Sequence, residues 1–249
     1  MKNIILFSSS LKILKILCHI FTIKKIYYEK NANQIKKFCG KNNIEFGLYT
    51  LKKIEKEKAY TELAITYGYN SIFSKKIIKK FKMGIWNIHP GELPKYRGRH
   101  PISWAIMNNE KKIAISVHKI NSEIDKGYLL SKTYVSRIKN DNENDIKKKM
   151  YKKIKNLLRL AEKNFKKKKL IKLTNGNYYK SLKKGVAIYN PSNFDFVKIF
   201  NMIKSQEIYR GIKVKNKYYK KIKILNNFLK INNKNIFLTK DNKIIKFYN

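Results

Sequence analysis

Short, wholly apolar runs alternate with longer stretches of helical periodicity over the first ninety residues. Asn3–Phe7 is apolar without alternation, the pattern of a buried strand, and Leu11–Phe21 follows with helical spacing at Leu11, Leu14, Ile16 and Leu17. Ile23–Tyr28, Ile44–Tyr49, Leu63–Tyr67 and Gly84–Ile88 read as further strands. Helices over Ala32–Asn42 and Lys75–Lys82 separate them, the latter capped by Ser74. Strand and helix in this alternation predict an α/β fold, a Rossmann-like, mostly parallel sheet with helices on both faces.

The pattern changes after Ile88. His89–Pro101 holds three of the four prolines and two glycines, so it reads as a structured loop. A short helix over Ile102–Asn108 follows, then two extended strands, Lys112–Ile120 and Tyr128–Ile138, around a turn at Ser122–Gly127. Asp141–Lys169 reads as one long, charge-rich helix. From about Asn175 the elements shorten: a helix near Asn193–Ser205 and small strands at Gly211–Val214, Tyr219–Leu225, Asn235–Thr239 and Lys243–Phe247. The chain therefore divides into a main domain over 1–174 and a small α+β/β appendage over 175–249, which suits its length.

Composition adds less than its numbers suggest. A hydrophobic share of 43% with 13% aromatics is that of a globular chain. The apolar run near the start is far too short to span a membrane and no cleavage site follows it, which predicts a cytoplasmic protein. Cys18 and Cys39 make neither a disulfide framework nor a metal site. The formal charge of +42 invites a polyanion partner, yet five arginines leave the charge almost wholly to lysines spread along the entire chain. Lys, Asn, Ile, Tyr and Phe share A/T-rich codons, so genome composition is the preferred explanation of the charge, which alone decides nothing about function.

The turn Phe7-Ser8-Ser9-Ser10 lacks the glycines that let a dinucleotide pyrophosphate approach the backbone, which argues against a dinucleotide cofactor. Ligands of open α/β sheets lie beyond the carboxyl ends of the strands, here the turns at Gly68, His89 and Asp125. Trp86–Pro101 concentrates residue types that are scarce elsewhere: two of four histidines, three of four prolines and two of five arginines. Asn87 and His89 stand two apart at a strand end and leave the same face. An amide beside an imidazole can hold a carbonyl oxygen that gains charge, and the imidazole can move a proton. Asn87 as a turn residue and His89 as a buried structural histidine are the plainer alternatives.

The spacing of these residues resembles that of the folate-dependent formyltransferase family, which includes enzymes acting on methionyl-tRNA, glycinamide ribonucleotide and sugar nucleotides. That family carries Asn-x-His-x-Ser-Leu-Leu-Pro, then Arg-Gly, then a loop with Asp-x-Gly. This chain carries Asn87-Ile88-His89-Pro90-Gly91-Glu92-Leu93-Pro94, Arg97-Gly98 and, after Val117-His118-Lys119-Ile120, the loop Ile124-Asp125-Lys126-Gly127. The resemblance spans Leu63 to Leu158. It implies the formyltransferase fold, 10-formyltetrahydrofolate as co-substrate, no metal, and direct attack of an amine on the formyl carbon. Asn87 and His89 match the family's carbonyl-polarising pair and Asp125 its orienting, proton-relaying carboxylate, although alone Asp125 would read as a turn-former. The stretch Gly68, Tyr69, Ile72 and Phe73 matches the pteridine-binding loop. His118 is read as structural, or as merely near the site.

Gly91-Glu92 departs from the family's Ser-Leu and puts a carboxylate where relatives are apolar, a change expected to reshape the acceptor pocket. For the acceptor, Arg97, Arg99 and Trp104 resemble the sugar-acting members, where arginine suits a diphosphate and tryptophan a sugar ring. The segment Glu29–Asn33 is too short for the extra basic loop of tRNA-acting members. An amino-sugar nucleotide is therefore the first reading. Initiator methionyl-tRNA is the second, supported by the charge and by Phe228–Tyr248 read as a small β-barrel remnant. A non-catalytic relative that binds nucleic acid or a protein partner is the third, and a homodimer is compatible with each.

Overall fold

The computed structural model describes residues 2–29, 32–48, 50–57, 61–182, 185–225 and 235–249. Five parallel strands follow the predicted alternation: β1 (Asn3–Phe7), β2 (Thr22–Tyr28), β3 (Glu45–Leu48), β4 (Leu63–Thr66) and β5 (Gly84–His89). Between them lie α1 (Leu11–Cys18), α2 (Asn33–Lys41), α3 (Leu51–Lys56) and α4 (Lys75–Lys79). The short β6 (Tyr96–Gly98) and α5 (Pro101–Met107) precede β7 (Lys112–Lys119) and β8 (Gly127–Ser136). Then come α6 (Glu143–Tyr151), α7 (Ile154–Lys166) and β9 (Ile171–Leu173). The main sheet has the order β3-β2-β1-β4-β5-β7-β8-β9, with β7 antiparallel to β5 and β9 antiparallel to β8.

This order puts the carboxyl ends of β1, β4 and β5 side by side, where the chain reverses its direction of growth along the sheet. β1 is sequestered on both faces, and Ile4, Leu6 and Phe7 are completely buried. Phe7 stacks on Tyr27 at 5.2 Å and meets Phe73 edge-on at 4.9 Å, so the apolar run of β1 anchors the loop after β4. The three serines after Phe7 replace the flexibility of glycine with hydrogen bonds. Ser8 Oγ donates to the Tyr67 carbonyl at 2.9 Å, Ser9 Oγ accepts from Glu29 N at 3.0 Å, and Ser10 caps α1. They tie the ends of β1, β2 and β4 together.

The predicted mostly parallel sheet is present, and most element boundaries agree within three residues. The long helix expected over Asp141–Lys169 is instead two, α6 and α7, interrupted at Lys152–Lys153. No glycine or proline marks that break, and the apolar spacing Ile146, Met150, Ile154, Leu158 runs straight through it, which is why the two read as one. The loop His89–Pro101 contains β6, and the strand read at Tyr219–Leu225 is two short strands separated at Lys220. Parts of three expectations lie outside the described residues: Tyr49 in the third strand, residues 30 and 31 of Glu29–Asn33, and 228–234 of Phe228–Tyr248.

The remaining elements are β10 (Asn177–Tyr179), β11 (Val186–Ile188), a 3-10 turn (Pro191–Asn193), α8 (Phe196–Gln206), β12 (Ile212–Val214), β13 (Lys217–Tyr219), β14 (Lys221–Ile224), β15 (Ile236–Leu238) and β16 (Ile244–Tyr248). Two compact units do not follow chain order: one comprises 1–97, 114–134 and 150–177, the other 98–113, 135–149 and 178–249. The second has its own core around Ile199, Ile212, Ile245 and Phe247. It also holds a buried polar link in which Ser103 donates its one hydroxyl hydrogen to Glu143, with the Ser205 carbonyl 3.1 Å from the same oxygen, while Tyr209 donates to the same carboxylate at 2.9 Å. Among the described residues no helix is long and apolar enough to cross a membrane.

Candidate active site

The site is built by the register of β5 against β7. Asn87 lies opposite His118 and His89 opposite Ser116, so the two strands present an amide and two imidazoles at one end of the pair. Asp125 comes from the turn between β7 and β8, with φ +48, a left-handed conformation that Asp and Asn adopt more readily than other side chains. Its side chain is 12% exposed, against 5% for His89 and 0% for His118. Gly127, two residues on, has φ +104, and a Cβ there would stand 2.2 Å from the Lys119 carbonyl oxygen. Gly127→Ala must therefore strain the turn. We expect about 1–3 kcal/mol of lost stability, read as a lower Tm; an unchanged Tm would show that the turn yields freely.

The hydrogen-bond partners assign a tautomer to each imidazole. His89 Nε2 is 2.7 Å from the Tyr96 carbonyl, which can only accept, so neutral His89 carries its hydrogen on Nε2. Its Nδ1 then presents a lone pair toward Asp125 Oδ1, 3.6 Å away. His118 Nδ1 lies 3.1 Å from the Lys126 carbonyl, so neutral His118 accepts at Nε2 from Asn87 Nδ2, also at 3.1 Å. The second Asn87 Nδ2 hydrogen points to Asp125 Oδ1 at 3.3 Å. Burial pushes the His89 imidazole below its usual range; the nearby Asp125 carboxylate pulls the other way and does not prevail. The result is a neutral imidazole whose bare nitrogen faces a carboxylate, an arrangement ready to take up a proton.

The structure thus brings Asn87, His89 and Asp125 together and adds His118, which touches two of the three. The strand register reveals His118, and residue spacing along the chain does not. Of the loop after β4, Gly68 has φ +60 and Ile72 is 58% exposed, whereas Tyr69 stacks on Phe73 and Phe73 sits in the core. Asn70 donates from its backbone and side chain to the Glu29 carboxylate, which holds this loop to the end of β2. Arg97 donates to the Gly176 carbonyl at 3.0 Å. In the second compact unit, Arg99 N donates to the Tyr179 carbonyl, while Trp104 donates to the Lys180 carbonyl and lies against the Tyr179 ring. A cleft of about 330 Å³ flanks the Asp125 turn, lined by Glu123, Lys126 and Tyr128 on one side and Lys172 and Thr174 on the other.

The chain is similar to several known proteins. The bifunctional polymyxin resistance protein ArnA of Wigglesworthia glossinidia brevipalpis is 32% identical over 150 residues, 57% of this chain and 22% of that protein. The methionyl-tRNA formyltransferase of Borrelia duttonii is 40% identical over 72 residues, 29% of this chain and 23% of its own. The chain thus spans under a quarter of the length of these two curated relatives. The solved N-formyltransferase of Helicobacter canadensis, in complex with folinic acid and dTDP-3-aminofucose, superposes with a TM-score of 0.75 at 18% identity, over all of both chains. WlaRD, a sugar 3N-formyl transferase solved with dTDP and 5-N-formyl-THF, gives 0.73 at 21% identity over all of this chain and 97% of its own. The formyl transferase family model matches residues 28–161, more than half of the 249. The chain belongs to the formyl transferase family.

Proposed function

We propose that the protein transfers a formyl group from 10-formyltetrahydrofolate to the amine of a nucleotide-linked amino sugar. Convergence of Asn87, His89 and Asp125 in one buried cluster carries the assignment of formyl transfer. The reaction makes one N–C bond, breaks the bond between the formyl carbon and the folate nitrogen, and moves a proton from the attacking amine to that departing nitrogen. The folate supplies the activated formyl carbon. His89 Nδ1 is the group that takes the amine proton, and Asp125 stabilises the imidazolium that results. Asn87 donates to the oxygen that gains charge, which requires it to release one of its two present acceptors, Asp125 being the more distant. His118, holding the amide from the other side, keeps Asn87 aimed as it does so.

Gly68, Tyr69, Ile72 and Phe73 are assigned to the pteridine. Tyr69 and Phe73 set the loop's path through their stacking, while Gly68 and exposed Ile72 offer backbone and apolar surface. Arg97, Arg99 and Trp104 are assigned to the acceptor, and 1–174 to the catalytic domain with 175–249 as its appendage. Both cysteines are free thiols, which fits a cytoplasmic enzyme.

The sugar nucleotide is preferred to methionyl-tRNA because the chain superposes on two sugar-acting structures across almost their entire length, and aligns in sequence with tRNA-acting relatives over about a quarter to a half of theirs. Lys126, Lys172 and Tyr128 beside the Asp125 turn also suit phosphates and a ring. Purified protein given 10-formyltetrahydrofolate should formylate a dTDP-linked amino sugar and leave charged initiator tRNA unchanged. Formylation of the tRNA alone would reverse the assignment.

A further inference from the structure

The loop after β5 carries a carboxylate outside the cluster. Glu92, three residues beyond His89, accepts at Oε1 from Lys132 Nζ at 3.0 Å and from the Tyr134 hydroxyl at 2.6 Å, both on β8. Burial raises its carboxyl, but the hydrogen bonds from Tyr134 and Lys132 outweigh burial and hold it below the usual carboxylate range. The backbone of the same residue takes part in a second chain of contacts. The Glu92 carbonyl accepts from Tyr96 N at 2.7 Å, and the Tyr96 carbonyl accepts from His89 Nε2 at 2.7 Å. On the other side of the turn, buried Ser116 donates to the Gly91 carbonyl at 2.7 Å and accepts from Leu93 N at 3.3 Å. The turn over 91–96 is thus gripped by β7 and β8, and its last carbonyl meets the imidazole.

Two acceptors compete for the one hydrogen of neutral His89. Asp125 is charged and is the stronger acceptor at equal distance, but it stands 3.6 Å from Nδ1. The Tyr96 carbonyl is neutral and holds the hydrogen on Nε2 by being close, at 2.7 Å. A small retreat of that carbonyl gives the hydrogen to Nδ1 and turns the proton acceptor into a donor. We propose that Glu92 is a positioning residue for His89, and that its bonds to Lys132 and Tyr134 seat the turn so that Nδ1 stays bare toward Asp125. The role deepens the formyl-transfer reading and rests on it.

Nitrogen NMR of the full-length protein tests this, since imidazole nitrogen shifts distinguish the two tautomers. The chain has four histidines, and His89 is assigned by comparison with His89→Gln. Wild type should show the Nε2–H form. Glu92→Ala should move a substantial fraction to Nδ1–H and lower kcat about tenfold with little change in KM for the folate. Glu92→Gln should restore both, because an amide oxygen can accept the same two hydrogen bonds. Should Glu92→Ala fold poorly, Lys132→Met combined with Tyr134→Phe removes the grip from β8 and should shift the tautomer likewise. An unshifted tautomer in the folded variants overturns the proposal whatever their turnover. A shifted tautomer in a protein that transfers no formyl group upholds it and rejects the enzymatic reading instead.

Discussion

Replacing His89 by alanine should lower turnover with 10-formyltetrahydrofolate and an amino-sugar nucleotide by about a hundredfold or more, the usual cost of losing a positioned general base. No other nitrogen in the cluster can take the proton in its place. Asn87 has no basic nitrogen, and neutral His118 carries its hydrogen on Nδ1 and has its Nε2 occupied by Asn87. The substitution also removes a buried ring, so circular dichroism should accompany the kinetics to show that the fold persists. Activity that survives in a folded His89→Ala protein would falsify the assigned role.

The same histidine predicts the pH dependence. Burial holds its folded-state value below the ordinary one of about 6.5, so the neutral base predominates at pH 7. The acid limb of kcat/KM should therefore fall below pH 6.5, with a plateau through neutrality. The stability linked to His89 has the matching sign. Protonation is easier in the unfolded chain than in the fold, so the contribution is complete above about 6.5 and is lost as pH drops through the lower folded value. A limb at or above 6.5 would mean that a different group, or an exposed His89, controls the rate.

Asp125→Asn should cut kcat by about a hundredfold while the Kd for the folate changes by no more than a few fold. The substitution is nearly isosteric, and asparagine tolerates the left-handed φ of this turn almost as well as aspartate. What it removes is charge. The imidazolium formed on His89 loses its counter-ion, while Asn87 keeps an oxygen to donate to. Single-turnover rates and equilibrium binding separate the two effects. A parallel loss of binding and turnover would make Asp125 a structural carboxylate that shapes the turn.

Much of this is legible in the amino-acid sequence. Unbroken apolar runs such as Asn3–Phe7 announce strands covered on both faces, and the helical spacing between them leaves few options except a parallel sheet. Asn87 and His89 could be placed at a strand end and on a common face because strand geometry alternates every residue. The interruption at Lys152–Lys153 was not legible, since the apolar stripe of the helix crosses it unbroken and neither residue is a helix breaker.

The cluster's three principal residues are legible through the spacing of the family motif they match, since Asn87 is a common residue type in this chain and Asp125 alone reads as a turn-former. What only the tertiary structure decides is which proton sits where. His118 joins Asn87 through a strand register between residues 31 apart, and the tautomer of His89 depends on a backbone carbonyl that no side-chain identity encodes. Glu92 likewise acquires its meaning from Lys132 and Tyr134, forty residues away in the chain and beside it in space. Local sequence sets elements through short-range sterics and hydrophobic spacing. Hydrogen-bond partners and desolvation arise from long-range contacts, and these determine whether an imidazole is a base.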